Sequence, residues 1–270
     1  MKTMISILAL LAVAAAVIVM ENPAYGGDFR IYYNNPSEET LEQMAGADEV
    51  ILEPVHYSRE DIEFLQSSGV RVLGYINIME IDRWNEERFN SLEEGDFFLR
   101  NGERVYYPQW DSYLTDLTSE NYRNIVKADI EEQILNKGLD GILFDTVGNI
   151  DNEFARGSDT YEEQLRGLID IYEFANEAGP DLHLVQNWGL DLYIHETAPY
   201  VDGLMWEEFH YSKLTTDNWS EERLDLVAAA AAEENDDIYS VIFDEPKRSA
   251  ALAEERDFRY LYTDQSYLEW

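Results

Sequence analysis

From Phe29 onward, short apolar, β-branched or aromatic runs alternate with longer amphipathic segments, and this alternation leaves few architectures open to the chain. The runs are FRIYYNN (from Phe29), EVILEP (Glu49), RVLGYINI (Arg71), GILFDTV (Gly141), LHLVQNWG (Leu182), GLMWEEF (Gly203), DIYSVIFDE (Asp237) and FRYLYTD (Phe258). Between them SEETLEQMA, SREDIEFLQSSG and TSENYRNIVKADIEEQILNKG read as helices. The last has Ser119 as its N-cap, Ile125, Ile130 and Ile134 at helical spacing, and Gly138 as its stop. Apolar strands separated by helices belong to a parallel sheet covered by those helices. Eight of them in one domain's length predict a single (β/α)8 TIM barrel over residues 27–270 rather than an open doubly wound sheet. No glycine-rich dinucleotide fingerprint follows the first strand, which argues further against the open sheet. The aromatic-rich stretch from about Met79 to Thr118 is expected to be an elaborated loop after strand 3.

Such barrels place their active site at the C-terminal ends of the strands. Here those ends are polar. They carry Tyr33 on strand 1, Glu53 on strand 2, Tyr75 and Asn77 on strand 3 with Glu80 just beyond, and Asp145 on strand 4. Asn187 and Trp188 follow on strand 5, Glu207 and Glu208 on strand 6, Asp244 and Glu245 on strand 7, and Asp264 on strand 8. Carboxylates supply acid/base or nucleophilic chemistry on acetals, amides hydrogen-bond sugar hydroxyls, and aromatic faces stack on sugar rings. Cleavage of a glycosidic bond needs two carboxyl groups flanking it. A phosphate-binding barrel would instead want basic groups near strands 7 and 8, where this chain is acidic. With no cysteine, four scattered histidines and no compact Asp-x-Asp run, neither a metal nor another cofactor is expected.

The charge balance decides what the chain avoids. Its 56 acids against 19 bases give a formal net charge of -37, a field that repels nucleic acid and anionic lipid. The acids are spread along folded segments, as in proteins of salt-loving organisms, rather than gathered in a tail. An acidic surface that attracts a cationic substrate is the alternative reading. At the N-terminus Lys2 precedes an apolar run from Ile5 to Met20, so residues 1–26 read as a signal peptide or an uncleaved N-terminal anchor. Either would put the barrel outside the cell or on its surface. Nothing in the sequence implies a protein partner, and a monomer is expected.

RVLGYINIMEID followed by a Trp, then TDLTSENYRNIVKADIEEQILNKGLDGILFDTVGNID, QNWG and VDGLMWEEFHY resemble glycoside hydrolase family 114, the endo-α-1,4-polygalactosaminidase family. The resemblance runs from about Phe29 to YLYTDQSYLEW. It implies a hydrolase of α-linked, amino-sugar-containing polysaccharide, with Asp145 and Glu207 as its catalytic carboxylates. Two departures, IYYNN in the first strand and Trp188 between Asn187 and Gly189, touch the expected sugar subsites.

Each assignment has a plainer rival. Asp145 could cap the helix that follows. Glu207 competes with Glu208, since alternation turns one inward and the other outward. Glu53 and Glu80 could orient the nucleophile, bind sugar hydroxyls or merely close surface ion pairs. Tyr33, Tyr75, Asn187, Trp188 and Asp244 are candidate substrate contacts, and Trp84 and Trp110 candidate stacking platforms. At the level of function, the alternatives to a glycosidase are a non-catalytic carbohydrate-binding barrel at the cell surface and a metal-dependent hydrolase.

Overall fold

The computed structural model describes residues 26–263 and 266–270. The expected leader or anchor in residues 1–26 lies, but for Gly26, outside the described residues, and so does Asp264.

Eight parallel strands form the frame: β1 (Arg30–Tyr32), β2 (Glu49–Leu52), β3 (Arg71–Asn77), β4 (Gly141–Asp145), β5 (His183–Asn187), β6 (Gly203–Trp206), β7 (Asp237–Ile242) and β8 (Arg259–Tyr262). Each pairs in parallel with the next in chain order. This is the expected (β/α)8 barrel, with one difference at its seam. β1 and β8 share no ladder. Instead Gly26–Gly27 runs antiparallel to β8, and the Asp28 N–H donates to the Tyr260 carbonyl at 2.8 Å. The segment entering β1 thereby pairs with the edge of β8.

The covering helices are α1 (Glu38–Met44), α2 (Arg59–Ser67), α3 (Glu120–Asp129), α4 (Asp159–Ala178), α5 (Asn218–Glu234) and α6 (Pro246–Glu255), with short helical turns over 190–200 between β5 and β6. Side chains of Ser37, Ser58, Ser119, Ser158 and Asp217 accept the N–H groups left free at the starts of α1 to α5. The expected helix from Ser119 is one rod whose second half, Ile130–Leu135, is π-helical and which ends at left-handed Gly138. Its buried stripe is Tyr122, Val126, Ile130 and Ile134, while Ile125 is only half-buried. Among the described residues no helix is long and apolar enough to cross a membrane.

Strand alternation divides the core in two. Ile51, Leu73, Leu143, Val185, Met205, Val241 and Leu261 point into the barrel; Val50, Leu52, Val72, Ile142, Phe144, Leu184 and Leu204 pack outward with the helices. One step toward the N-terminal ends of the strands, the inner layer is ionic. Glu49, almost fully buried, accepts hydrogen bonds from Arg71 and from Arg259 (Nη1 to both oxygens, 3.0 and 2.9 Å). Arg259 also donates to Tyr239 Oη at 2.7 Å. This knot closes the floor of the barrel.

The long connection from β3 to α3 folds over the opposite end. It contains an antiparallel sheet of Glu80–Asp82, Ser112–Leu114 and Tyr106–Tyr107, a short helix Glu86–Ser91, and a hairpin of Leu99–Arg100 with Glu103–Arg104.

Candidate active site

The strand phase that fills the barrel also selects the side chains at its mouth. Two residues beyond Ile31, Ile51, Leu73, Leu143, Val185, Met205 and Val241 stand Tyr33, Glu53, Tyr75, Asp145, Asn187, Glu207 and Phe243. Because side chains alternate between faces, all seven continue the inward column of their strand. A polar layer therefore sits directly on an apolar one.

At its centre Asn187 Nδ2 donates to Asp145 Oδ1 at 2.6 Å and lies 3.4 Å from Glu207 Oε2. The two carboxylate oxygens on this nitrogen can be no farther apart than the sum of 2.6 and 3.4 Å, that is, 6.0 Å. The other Asp145 oxygen accepts the Tyr75 hydroxyl at 2.8 Å, and the other Glu207 oxygen accepts the Tyr267 hydroxyl at 2.6 Å. Tyr33 packs between the two donors, its ring 5.0 Å from Tyr75 and 5.5 Å from Tyr267. Both carboxylates are half-buried, so they remain reachable from the mouth.

Burial pushes the Glu207 carboxyl above its ordinary range, and the negative charge of Asp145 adds to the push. Tyr267, Asn187 and Trp188 act in the opposite direction by stabilising the ionised form. Burial and the charge of Asp145 likewise hold the Tyr75 and Tyr33 hydroxyls protonated. Those of Tyr75 and Tyr267 are thus fixed as donors at the carboxylates.

The backbone at the strand exits is strained. Thr146, Trp188, Glu208 and Glu245 have φ of 64°, 57°, 55° and 51°. A β-branched residue in the left-handed region is a genuine outlier, and such outliers gather at functional sites. Thr146 is held there by its hydroxyl, which donates to Asn77 Oδ1 at 2.7 Å and accepts the Met79 N–H at 2.8 Å. Gly148 is required next to it, since a Cβ there would lie 2.8 Å from Trp188 Cβ.

The remaining predicted residues divide by strand phase and by their partners. Glu208 points outward to Lys213 at 2.9 Å, so Glu207 is the member of the pair that enters the mouth. Asp244 is out of phase with Val241; it is exposed and accepts its neighbour's N–H, Glu245 N to Oδ1 at 2.7 Å. It does not join the central group. Glu80 is buried, with its oxygens taken by Ser112 Oγ and by Asn149 Nδ2 at 2.9 Å, a clasp between the loops after β3 and β4. Trp188 lies half-buried against the outer core. Glu53 opens into a neighbouring cavity with Tyr75, and Trp84 lines its mouth, 57% exposed. Trp110 stays on the surface.

Sequence reasoning missed Tyr267. It lies beyond β8 in no periodic segment, and only its contact with Glu207 reveals it. Asp82 and Asn149 were also missed, although Asp82 continues the Glu80 face of the β3 loop by simple alternation.

A parallel eight-stranded barrel with two carboxylates held at its C-terminal mouth defines a glycosidase. Residues 11–241 match the sequence profile of glycoside-hydrolase family GH114, and the chain belongs to that family. In three dimensions it is similar to the glycoside hydrolase domain of PelA from Pseudomonas aeruginosa, with a TM-score of 0.69 at 18% identity over 90% of this chain and 97% of that one. It is also similar to Aspergillus fumigatus Ega3 in complex with galactosamine, with a TM-score of 0.67 at 14% identity over 92% and 95% of the two chains. A Thermus thermophilus α-galactosidase in complex with p-nitrophenyl α-D-galactopyranoside aligns with a TM-score of 0.54 at 13% identity, over 90% of this chain and 60% of that one. None of the curated protein sequences compared with the chain matches it.

Proposed function

We propose that this glycosidase is exported and cleaves α-linked, amino-sugar-containing polysaccharide, in the manner of an endo-α-1,4-polygalactosaminidase, with Asp145 as nucleophile and Glu207 as general acid/base. The observation that carries the reading is the Asn187 amide straddling both carboxylates. The family and the likeness to a galactosamine-bound fold support the substrate class, and the apolar run from Ile5 to Met20 supports export.

Asp145 attacks the anomeric carbon while protonated Glu207 gives its proton to the glycosidic oxygen. The C–O bond breaks and a glycosyl ester on Asp145 forms. Glu207, now ionised, takes a proton from water; the water oxygen attacks the anomeric carbon, Asp145 departs as carboxylate, and Glu207 is again protonated. An oxygen–oxygen bound of 6.0 Å supports retention, for which carboxyls about 5–5.5 Å apart are typical, against about 6.5–9.5 Å for inversion. The raised pKa of Glu207 suits the acid, and hydrogen bonds from Tyr75 and Asn187 orient the Asp145 carboxyl for attack.

The test is hydrolysis of a partly de-N-acetylated α-1,4-galactosaminan, read as new reducing ends and as the anomer first released. Asp145→Asn and Glu207→Gln should each cost at least about a thousandfold in kcat with folding intact. Near-normal cleavage by both variants would overturn the site. Binding without cleavage by the unmodified chain would make it a carbohydrate-binding barrel, and an inverted product would overturn the nucleophile.

A further inference from the structure

Residues 266–270 pass beside β1 at the seam and touch the barrel from both sides. Tyr267 packs with the inner core at the mouth, its ring 5.5 Å from Tyr33 and 6.3 Å from Phe243. Three residues on, Trp270 packs with the outer core, its ring edge-on to Tyr32 at 6.1 Å. Successive residues of a strand point to opposite faces, so Tyr32 and Tyr33 receive one anchor each. Between the anchors Leu268 and Glu269 are exposed, and the Leu268 carbonyl accepts Asn34 Nδ2 at 3.4 Å.

Tyr267 is held in a costly backbone conformation. Its φ is 47°, in the left-handed region, a genuine outlier for so bulky a residue. Such a conformation persists only where its surroundings over-determine it. The Tyr33 N–H donates to the Tyr267 carbonyl at 2.7 Å and fixes the bend on the barrel side. Trp270, the next half-buried ring along the segment, fixes it from outside. What the bend achieves is seen at the tip of the side chain, where the Tyr267 hydroxyl donates to Glu207 at 2.6 Å. Relaxed to a negative φ, the backbone would turn that ring off Glu207.

We propose that Trp270 is a positioning residue for the acid/base carboxyl: seated on Tyr32 outside the barrel, it holds residues 266–270 in the bend that brings the Tyr267 hydroxyl to Glu207. The inference rests on the reading of Glu207 as acid/base. Trp270 lies on the outer face and acts on Glu207 only through Tyr267. Around Glu207 stand Asp145 on β4, Asn187 and Trp188 at the end of β5, Tyr33 after β1, and Tyr267. Tyr267, Asn187 and Trp188 favour the ionised carboxyl and Asp145 opposes it, so losing the anchor removes one of three stabilising partners.

Trp270→Ala in the full chain tests this by a pH series of kcat and by carbon-13 titration of the Glu207 carboxyl, which needs no turnover. The variant should lose about tenfold in kcat and move both the alkaline limb and the carboxyl titration to higher pH, as loss of a donor to the ionised form requires. Trp270→Phe, which keeps a ring on Tyr32, should restore most of both. In a chain already carrying Tyr267→Phe, Trp270→Ala should cost no more than about twofold further, because the hydroxyl it positions is gone. Glu269→Gln, exposed beside the anchor, should change neither. A carboxyl titration that stays in place in Trp270→Ala, or a full additional loss in the double variant, overturns the proposal. Should Trp270→Ala not fold, Trp270→Leu keeps apolar bulk at the position, and an unmoved titration there overturns it equally. Near-normal cleavage by Glu207→Gln would instead overturn the acid/base reading, and a Trp270-dependent titration of Glu207 would stand apart from it.

Discussion

Tyr267 donates a 2.6 Å hydrogen bond to Oε1 of Glu207, while its carbonyl accepts the Tyr33 N–H at 2.7 Å across the seam where β1 and β8 share no ladder. The hydroxyl bond favours the ionised form of a carboxyl which burial and Asp145 push toward protonation. Tyr267→Phe should therefore raise the Glu207 pKa further, moving the alkaline limb of the activity profile to higher pH. Loss of a hydrogen bond to a charged group should also lower kcat about tenfold. A pH series of kcat checks both; an alkaline limb that stays in place would show that Glu207 does not set it.

Gly148 touches the turn that carries Asn187 and Trp188. Gly148→Ala places a methyl 2.8 Å from Trp188 Cβ and 3.1 Å from the Gly189 nitrogen, and one of the two loops must move. A small displacement of Asn187 loosens its grip on both carboxylates, so kcat should fall about tenfold or more while the protein still folds. Steady-state kinetics beside a melting curve tests this, and unchanged kcat would mean that the turn yields without moving the amide.

Glu53 links stability to pH. Its carboxyl ionises near 7 in the folded chain against an ordinary 4.5, so the native state holds the proton more tightly through that window. Native stability contributed at this position is thus full below about 4.5, falls as pH rises toward 7, and stays lower above. Glu53→Gln cannot ionise. Relative to the unmodified chain it should gain up to about 3 kcal/mol on going from about pH 4 to about pH 8. Urea unfolding at the two pH values measures the difference, and equal values at both would place the Glu53 pKa near its ordinary one.

Glu49 joins Arg71 and Arg259 at the floor of the barrel, far from the mouth. Glu49→Ala removes the buried carboxylate shared by two guanidinium groups, leaving them the half-exposed Asp237 at 3.7 Å, and should cost about 3 kcal/mol. Activity at low temperature should persist, since no floor residue touches the carboxylate pair. Denaturant titration and a cold activity assay separate the two effects.

Net charge of -37 makes self-repulsion a property of the whole molecule. Its melting temperature should climb by several degrees from low to molar sodium chloride, as counterions screen the acids. A flat salt dependence would remove the halophilic expectation.

Much of the barrel was legible because its strands are short apolar runs separated by amphipathic helices, and Ser119 caps where the sequence reading places it. The mouth was harder to read. Ile238, Tyr239, Val241 and Ile242 are all buried, so β7 offers no polar face to reveal its phase, and Asp244 could not be told from an inward residue. In β6 it is Met205 facing the barrel interior that turns Glu207 rather than Glu208 toward the mouth, a fact of packing and not of composition. The seam was hidden for another reason. Pairing of Gly26–Gly27 with β8 and the reach of Tyr267 are contacts between the two ends of the described chain, which no local window contains.

That seam also orders events during synthesis. Tyr33 is made early, Asp145 midway and Glu207 later, yet the donor for Glu207 and the ring that packs on Tyr33 come together in Tyr267. While the ribosome is still translating, the emerging chain can fold helices and pair neighbouring strands, but Glu207 lacks its last hydrogen-bond donor. The hydrogen-bonded surround of Glu207 is thus complete only once translation has passed residue 267.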